Sequence, residues 1–299
     1  PEGHLRWSGR GCNQPWATKN HIILPKWLDD YIFNTLSATF EKKCKDLVVL
    51  NWDATDIQCY LGTYFPRSFA ESYGIFSQYF QKNRNDYDSQ TELTIFDFGC
   101  GTGGELIGLI AALNENLENL QEVKIYALDG NYHSLRYLEL ILSESKKYLH
   151  FDILHQVIPV VIEDFYDLSL VENECLKLRT YDIAISFKAI CEFVTKQELE
   201  EKNPYAYLIN TLLPYLSDNG IICLADVTSY SDVAHNWLPS IIDNGINSTP
   251  MDVICKNENY NETFYITHSH KQNDISKIAW RILKTKRSWK KIGWLKNQS

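Results

Sequence analysis

Long apolar runs are missing from this chain. Leu106–Leu113 is among the longest, and its eight residues include Gly108, far short of the roughly 20 that a membrane-spanning helix needs. Eight cysteines lie at positions 12, 44, 59, 100, 175, 191, 223 and 255, yet none form a Cys-x-x-Cys pair. That absence excludes a zinc ribbon and a dithiol redox motif, and scattered cysteines in a long chain usually mean buried thiols in a reducing compartment. No repeat of solenoid or propeller period is visible, and no secretory segment is recognised at the start. The expectation is a cytoplasmic globular protein with no structural metal.

What is present suits one large core. The 299 residues are 44% hydrophobic and 22% charged, ordinary for a globular protein, with 18 Tyr, 13 Phe and 8 Trp. The net charge of −9 hides an asymmetry. From Ile275 to Ser299 there are eight Lys or Arg and no acid, which leaves 21 basic and 38 acidic residues, −17, on the first 274. Lys284, Lys286, Arg287, Lys290 and Lys291, with Trp289 and Trp294 among them, can grip a polyanion such as RNA. They can equally form a solvated surface that offsets the charge of the body.

Three segments follow from the patterning: an N-terminal part over residues 1–92, a core over 93–284, and a basic tail over 285–299. In the first, an amphipathic stretch from Trp27 to Lys43 reads as helical and Leu47–Asn51 is a short apolar run. Pro66 stands where a helix can begin, with Phe69, Tyr73, Phe76 and Phe80 at helical spacing after it. That helix is expected to end in the polar stretch Gln81–Glu92.

From Leu93 onward strand and helix signals alternate, which argues for a parallel sheet with crossover helices. Strands are predicted at Thr94–Phe98, Lys124–Leu128, Gln156–Val161, Ile183–Phe187 and Gly220–Asp226. Helices are predicted at Gly104–Asn114, Tyr132–Lys147, Tyr205–Leu216 and Asp232–Asn244. Thr263–His268 and Ile278–Lys284 look like a closing strand pair, the second also compatible with a helix.

The most informative run is Ile95-Phe-Asp-Phe-Gly-Cys-Gly-Thr-Gly-Gly104. An apolar strand carrying one acid, Asp97, leads into a loop of Gly99, Gly101, Gly103 and Gly104 and then a helix. Glycines there let bare backbone approach a ligand closely. The same letters satisfy the dinucleotide pattern Gly-x-Gly-x-x-Gly, but an acid just ahead of the loop opposes a pyrophosphate. A glycine turn with no ligand explains the glycines and leaves the acid unexplained.

With this motif the chain resembles the class I S-adenosylmethionine-dependent methyltransferases over Leu93–Lys284, about two-thirds of its length. The resemblance implies an α/β, Rossmann-like seven-stranded sheet with helices on both faces, here preceded by a mainly helical N-terminal extension. It implies S-adenosylmethionine as the methyl donor. Asp97, Gly99, Cys100, Gly101 and Gly103 would then lie at the donor, and Asp129 with Gly130 would meet the ribose hydroxyls. Asp129 can also serve as a helix N-cap for the segment from Tyr132. Asp164 and Phe165 fit the adenine contacts of the family, or else an acidic turn with Phe165 returning to the core. Ser186 opens the segment after the fourth strand, which in the family faces the transferred group.

Methyl transfer is an in-line displacement from a sulfonium, so alignment of the acceptor is the main demand, with a base where the acceptor carries a proton. Ser186-Phe-Lys-Ala-Ile-Cys-Glu192 lacks both Asn/Asp-Pro-Pro-Tyr and Pro-Cys, which excludes the amino-methylating and cysteine-attack signatures. Lys188 and Glu192 share one helical face if a helix starts there, as acceptor-orienting groups or as a surface salt bridge. Asp226, at the end of the fifth strand, is a third candidate, expected at the cleft mouth. Upstream, Tyr64, Arg67 and Tyr73 are expected to cover the donor and shape the acceptor entrance. The surrounding Pro-x-x-x-Ala/Glu run resembles methyltransferase-like proteins associated with the small ribosomal subunit, which implies RNA or an RNA-associated protein as acceptor. A small molecule as acceptor and a non-catalytic donor-binding scaffold are the other readings, and the oligomeric state is not indicated.

Overall fold

A computed structural model describes residues 20–42, 51–177, 179–194, 202–232 and 234–286. Most of the run Leu47–Asn51, and the tail from Arg287 onward, lie outside the described residues. The elements begin with β1 (His21–Ile23), α1 (Lys26–Asp30), α2 (Ala54–Lys82), β2 (Glu92–Phe98) and α3 (Gly104–Asn116). There follow β3 (Glu122–Asp129), α4 (Tyr132–Ser145), β4 (Asp152–Pro159), α5 (Ser169–Val171) and β5 (Tyr181–Phe187). Next come α6 (Ile190–Val194), α7 (Pro204–Leu212), β6 (Leu216–Asp226), β7 (Tyr230–Ser231) and β8 (Asn236–Trp237). The last are α8 (Leu238–Asn247), β9 (Met251–Lys256), β10 (Glu262–His268) and β11 (Lys271–Thr285).

The fold is α/β with a large, mostly parallel central sheet, as the alternating pattern implied; among the described residues the sheet holds nine strands. The chain divides into two compact units. Unit 1 comprises residues 1–93, 99–161 and 263–276; unit 2 comprises 94–98, 162–262 and 277–299.

In unit 1, β3 and β4 pair in parallel from Glu122 opposite Asp152 to Asp129 opposite Pro159, and β1 pairs in parallel with β10. Helix α2 is the long element here. Asp53 caps it, accepting from the backbone N–H of Thr55 at 2.8 Å and Asp56 at 3.0 Å. It runs on through Pro66, so the proline is interior rather than at the first turn. The expected start at Pro66 is therefore corrected by twelve residues: burial of Ile57, Leu61, Phe65, Phe69, Phe76 and Phe80 along one helix outweighs the one lost backbone hydrogen bond. The helix predicted over Trp27–Lys43 is shorter than expected. After α1 one wide turn spans Tyr31–Thr35, and Ser37 takes a left-handed φ of 58° that ends the helical path.

In unit 2, β2, β5 and β6 pair in parallel, with Ile95 opposite Ile183 and Ile183 opposite Ile221. Antiparallel β11 adds to β6, with Ala279 opposite Asp226, and β9 adds to β11. The segment Ile278–Lys284 is thus strand. Helix α7 starts at Pro204, capped by the Asn203 side chain at 3.1 Å from Ala206 N. The helix predicted over Asp232–Asn244 begins at Leu238 instead, because the preceding residues form the small β7–β8 hairpin. Arg281 is buried in a two-pronged ion pair with Asp243 at 2.7 and 3.0 Å and also donates to Asn257. Among the described residues no helix is long and apolar enough to cross a membrane.

Candidate functional site

In unit 1 the loop between β2 and α3 reverses the chain through three left-handed residues, Gly99 (φ 72°), Gly101 (φ 47°) and Gly103 (φ 81°). Glycine reaches this region without the clash that a Cβ brings. The loop is hung on β3: the N–H groups of Gly99 and Cys100 both donate to Leu128 O, at 3.0 and 2.9 Å. Cys100 is buried, its thiol turned to Gly101 O, and so acts as a packing group. Gly103 caps α3, and a Cβ there would overlap Leu138 of α4.

Gly104 serves a different purpose. Cβ atoms at Gly104 and Gly108 would lie 2.5 Å from Phe65 O and Phe69 O of α2. Two glycines four apart on α3 therefore admit the backbone of α2, whose own small residues Ser68 and Ser72 meet them. The Gly-x-x-x-Gly spacing is visible in the sequence, where Gly104 stands both in the loop and at the start of the predicted helix.

Asp129, at the end of β3, is brought to this loop. Its Oδ2 accepts from Gly101 N–H at 2.9 Å and its Oδ1 from Asn131 N–H at 2.8 Å. Burial pushes its carboxyl above the ordinary aspartate value, while bonds from the N–H groups of Asn131, Gly101 and Gly130 work against that shift. The helix-cap role falls to its neighbour: Asn131 Oδ1 accepts from Ser134 N at 2.9 Å and starts α4. Asp129 is thus free of the N-cap duty, with lone pairs left on oxygens fixed by backbone.

The upstream aromatic segment is α2, and only part of it is near the loop. Tyr60 lies 3.8 Å from where a Gly101 Cβ would stand, and the Tyr64 ring is 5.0 Å from that of Tyr60. Arg67 is drawn into an ion pair with Asp274, Nε to Oδ2 at 2.7 Å, with its guanidinium 5.2 Å from the Tyr64 ring centre. Tyr73 is placed away from the loop: its hydroxyl donates to Glu115 in the last turn of α3, about 16 Å of helix beyond Gly104.

Unit 2 holds the remaining predicted residues. Asp97 and Ser186 are buried in β2 and β5, the Ser186 hydroxyl without a hydrogen-bond partner among the described residues. Asp164 is exposed and closes a turn by accepting from Tyr166 N at 2.8 Å. Phe165 is 1% exposed and meets Phe98 edge-on at 6.1 Å, so it returns to the core. Asp226 is 1% exposed rather than at a cleft mouth. Its Oδ2 accepts from Cys191 N–H at 3.0 Å and Tyr205 hydroxyl at 2.8 Å, and its Oδ1 from Val227 N–H at 2.9 Å. Burial raises its carboxyl and pushes the Cys191 thiol and Tyr205 phenol well above their usual ranges. These groups hold the chain after β5 in place.

Lys188 is in that held segment, with a left-handed φ of 57°. Its N–H donates to Ala225 O at 2.8 Å, and its carbonyl accepts from Cys191 Sγ at 3.2 Å. Because α6 begins only at Ile190, Lys188 and Glu192 are not one helical turn apart, and the shared-face expectation is corrected. Of the basic residues from Ile275 onward, Arg281 is spent on Asp243, and Lys286 Nζ donates to Thr249 O at 3.0 Å.

No family model matches the chain, and no curated protein does. Solved structures are similar in outline. A candidate RNA methyltransferase from Pyrococcus horikoshii is 13% identical with a TM-score of 0.43, over 87% of this chain and 96% of that one. A SAM-dependent methyltransferase from Aquifex aeolicus is 12% identical with a TM-score of 0.44, over 78% and 99%. A protein of echinomycin biosynthesis that converts a disulfide bond into a thioacetal group is 9% identical with a TM-score of 0.44, over 75% and 86%.

Proposed function

We propose that this chain is an S-adenosylmethionine-dependent methyltransferase whose donor ribose is held by Asp129 beside the Gly99–Gly103 loop. The observation that carries the reading is the pinning of both Asp129 oxygens by Gly101 N–H and Asn131 N–H. A carboxylate so fixed presents its remaining lone pairs to a pair of vicinal hydroxyls at little reorganisation cost. Dinucleotide binding is the weaker reading, because Glu105 occupies the first turn of α3 in addition to Asp97 ahead of the loop. An acid there complements the helix dipole itself and repels a pyrophosphate.

When bound, the donor supplies an electrophilic methyl group on a sulfonium. The chain's own contribution is to hold the ribose and, through a loop whose glycines carry no Cβ, to let the donor lie close against the backbone. The acceptor we assign is RNA or an RNA-associated protein, supported by the basic residues of the tail. The eight scattered cysteines, with no Cys-x-x-Cys pair, support a cytoplasmic setting.

Calorimetric titration checks the donor. S-adenosylmethionine should bind saturably and NAD should not. Affinity should fall as pH is lowered, because a protonated Asp129 loses acceptor capacity, and the fall should start above the ordinary aspartate range near 4. Tight NAD binding without a response to S-adenosylmethionine overturns the assignment.

A further inference from the structure

We infer that the β7–β8 hairpin and Tyr260 of unit 2 form a docking corner for lysine or arginine side chains of a basic protein segment. Three aromatic residues lie open there: Tyr230, Trp237 and Tyr260 are 45%, 47% and 49% exposed. Large rings left in water together mark an interaction surface far more often than single exposed ones do. The indole of Trp237 is the centre of the group. Tyr230 meets it at 5.4 Å and 78°, and Tyr260 at 5.9 Å and 88°. A stacked trio would cover its faces pairwise, whereas these edge-to-face contacts leave more ring face in solvent.

The corner is built rather than frayed. Tyr230 pairs with Trp237 and Ser231 with Asn236 across the hairpin. Its turn is closed by Ser231 Oγ, which accepts from Ala234 N at 3.1 Å, and its root by Leu238 N–H to Ser229 O at 3.0 Å. Tyr260 comes from a distant part of the chain and is tied to that root, its hydroxyl donating to Thr228 O at 3.0 Å. The rings are therefore held in place before any partner arrives, which lowers the entropy cost of binding.

Charge selects the occupant. From Asp226 to Glu262 the chain carries six acids and a single lysine, Lys256; Asp226 is buried and Asp243 is paired with Arg281, which leaves Asp232, Asp252, Glu258 and Glu262. Asp232, next to β7, and Glu258, two residues from Tyr260, are both exposed. Aromatic faces attract cations, Trp most strongly, and nearby carboxylates add to that attraction while repelling phosphates. A basic polypeptide fits this surface and a nucleic acid does not. The inference goes beyond donor binding, and a binding assay without S-adenosylmethionine tests it separately from methyl transfer.

The test uses the full chain labelled with ¹⁵N, with the Trp237 indole signal assigned by its loss in Trp237→Leu. An oligolysine peptide should shift that signal saturably, and an oligouridylate of equal length should leave it in place. Trp237→Leu should weaken the peptide about tenfold, and Asp232→Asn with Glu258→Gln about threefold, each protein keeping its native circular dichroism. The proposal is overturned if the peptide leaves the indole unmoved, if the oligouridylate shifts it instead, or if Trp237→Leu binds the peptide as well as the parent chain does.

Discussion

Of the turns that use left-handed backbone, those after β2 and β5 obtain it differently. After β2, in unit 1, the residues are glycines at φ 72°, 47° and 81°; after β5, in unit 2, the residue is Lys188 at φ 57°. The glycine turn carries no side chain and little steric strain, so what it offers a ligand is bare backbone. The lysine turn keeps a long cationic side chain and stores strain of about 1 kcal/mol or more. Such strain persists only where the surroundings over-determine it. Here Ala225 O takes the Lys188 N–H, Cys191 closes on the Lys188 carbonyl, and Asp226 holds the Cys191 N–H and Tyr205. One turn is made by its sequence and the other by its neighbours.

The largest effect should come from removing the brace. Asp226→Ala leaves the N–H groups of Cys191 and Val227 and the Tyr205 hydroxyl without their buried acceptor, at a cost of about 3 kcal/mol or more. Asp226→Asn keeps one acceptor oxygen and should cost clearly less. Urea unfolding monitored by circular dichroism measures both, and equal losses would show that the carboxylate is not what holds the turn.

Next in size is the glycine turn itself. Gly103→Ala places a methyl against Leu138 at a φ of 81°, and about 2 kcal/mol of stability should be lost in the same assay. A neutral result would mean that the loop relaxes freely and does not need glycine.

The smallest effect has the opposite sign. Lys188→Gly relieves the left-handed strain and should raise stability by about 0.5–1 kcal/mol, whereas Lys188→Ala should leave it nearly unchanged. Destabilisation by glycine would place the braced turn on the unstrained side of the comparison.

The two turns also differ in how far the sequence revealed them. Glycines at alternate positions after an apolar strand spell out a left-handed loop, and Asp129 was singled out by its place after the predicted second strand. Lys188 gives no such sign, since its conformation is imposed by Ala225, Cys191 and Asp226, and Asp226 is 35 residues from Cys191 in the chain. Asp226 itself was misread because an acid at a strand end looks exposed; its buried donors come from α6 and α7. Pro66 misled for a related reason: local chemistry marks it as a helix start, while the packing of α2 on α3 carries the helix through it. Strand β4 runs from Asp152 to Pro159, several residues ahead of the predicted Gln156–Val161, because only Ile153 and Ile158 of it are buried and the apolar pattern gives little register.

The central claim is that Asp129 holds the ribose of the donor beside the glycine loop. The most direct measurement is a cycle: S-adenosylhomocysteine and its 2′,3′-dideoxy analogue, each titrated calorimetrically into the parent chain and into Asp129→Ala. In the parent chain, loss of the two hydroxyls should weaken binding by about tenfold or more, because the fixed carboxylate is left without donors. In Asp129→Ala the two ligands should bind within about twofold of each other. An equal loss in both proteins, or no binding of either ligand to the parent chain, would contradict the account.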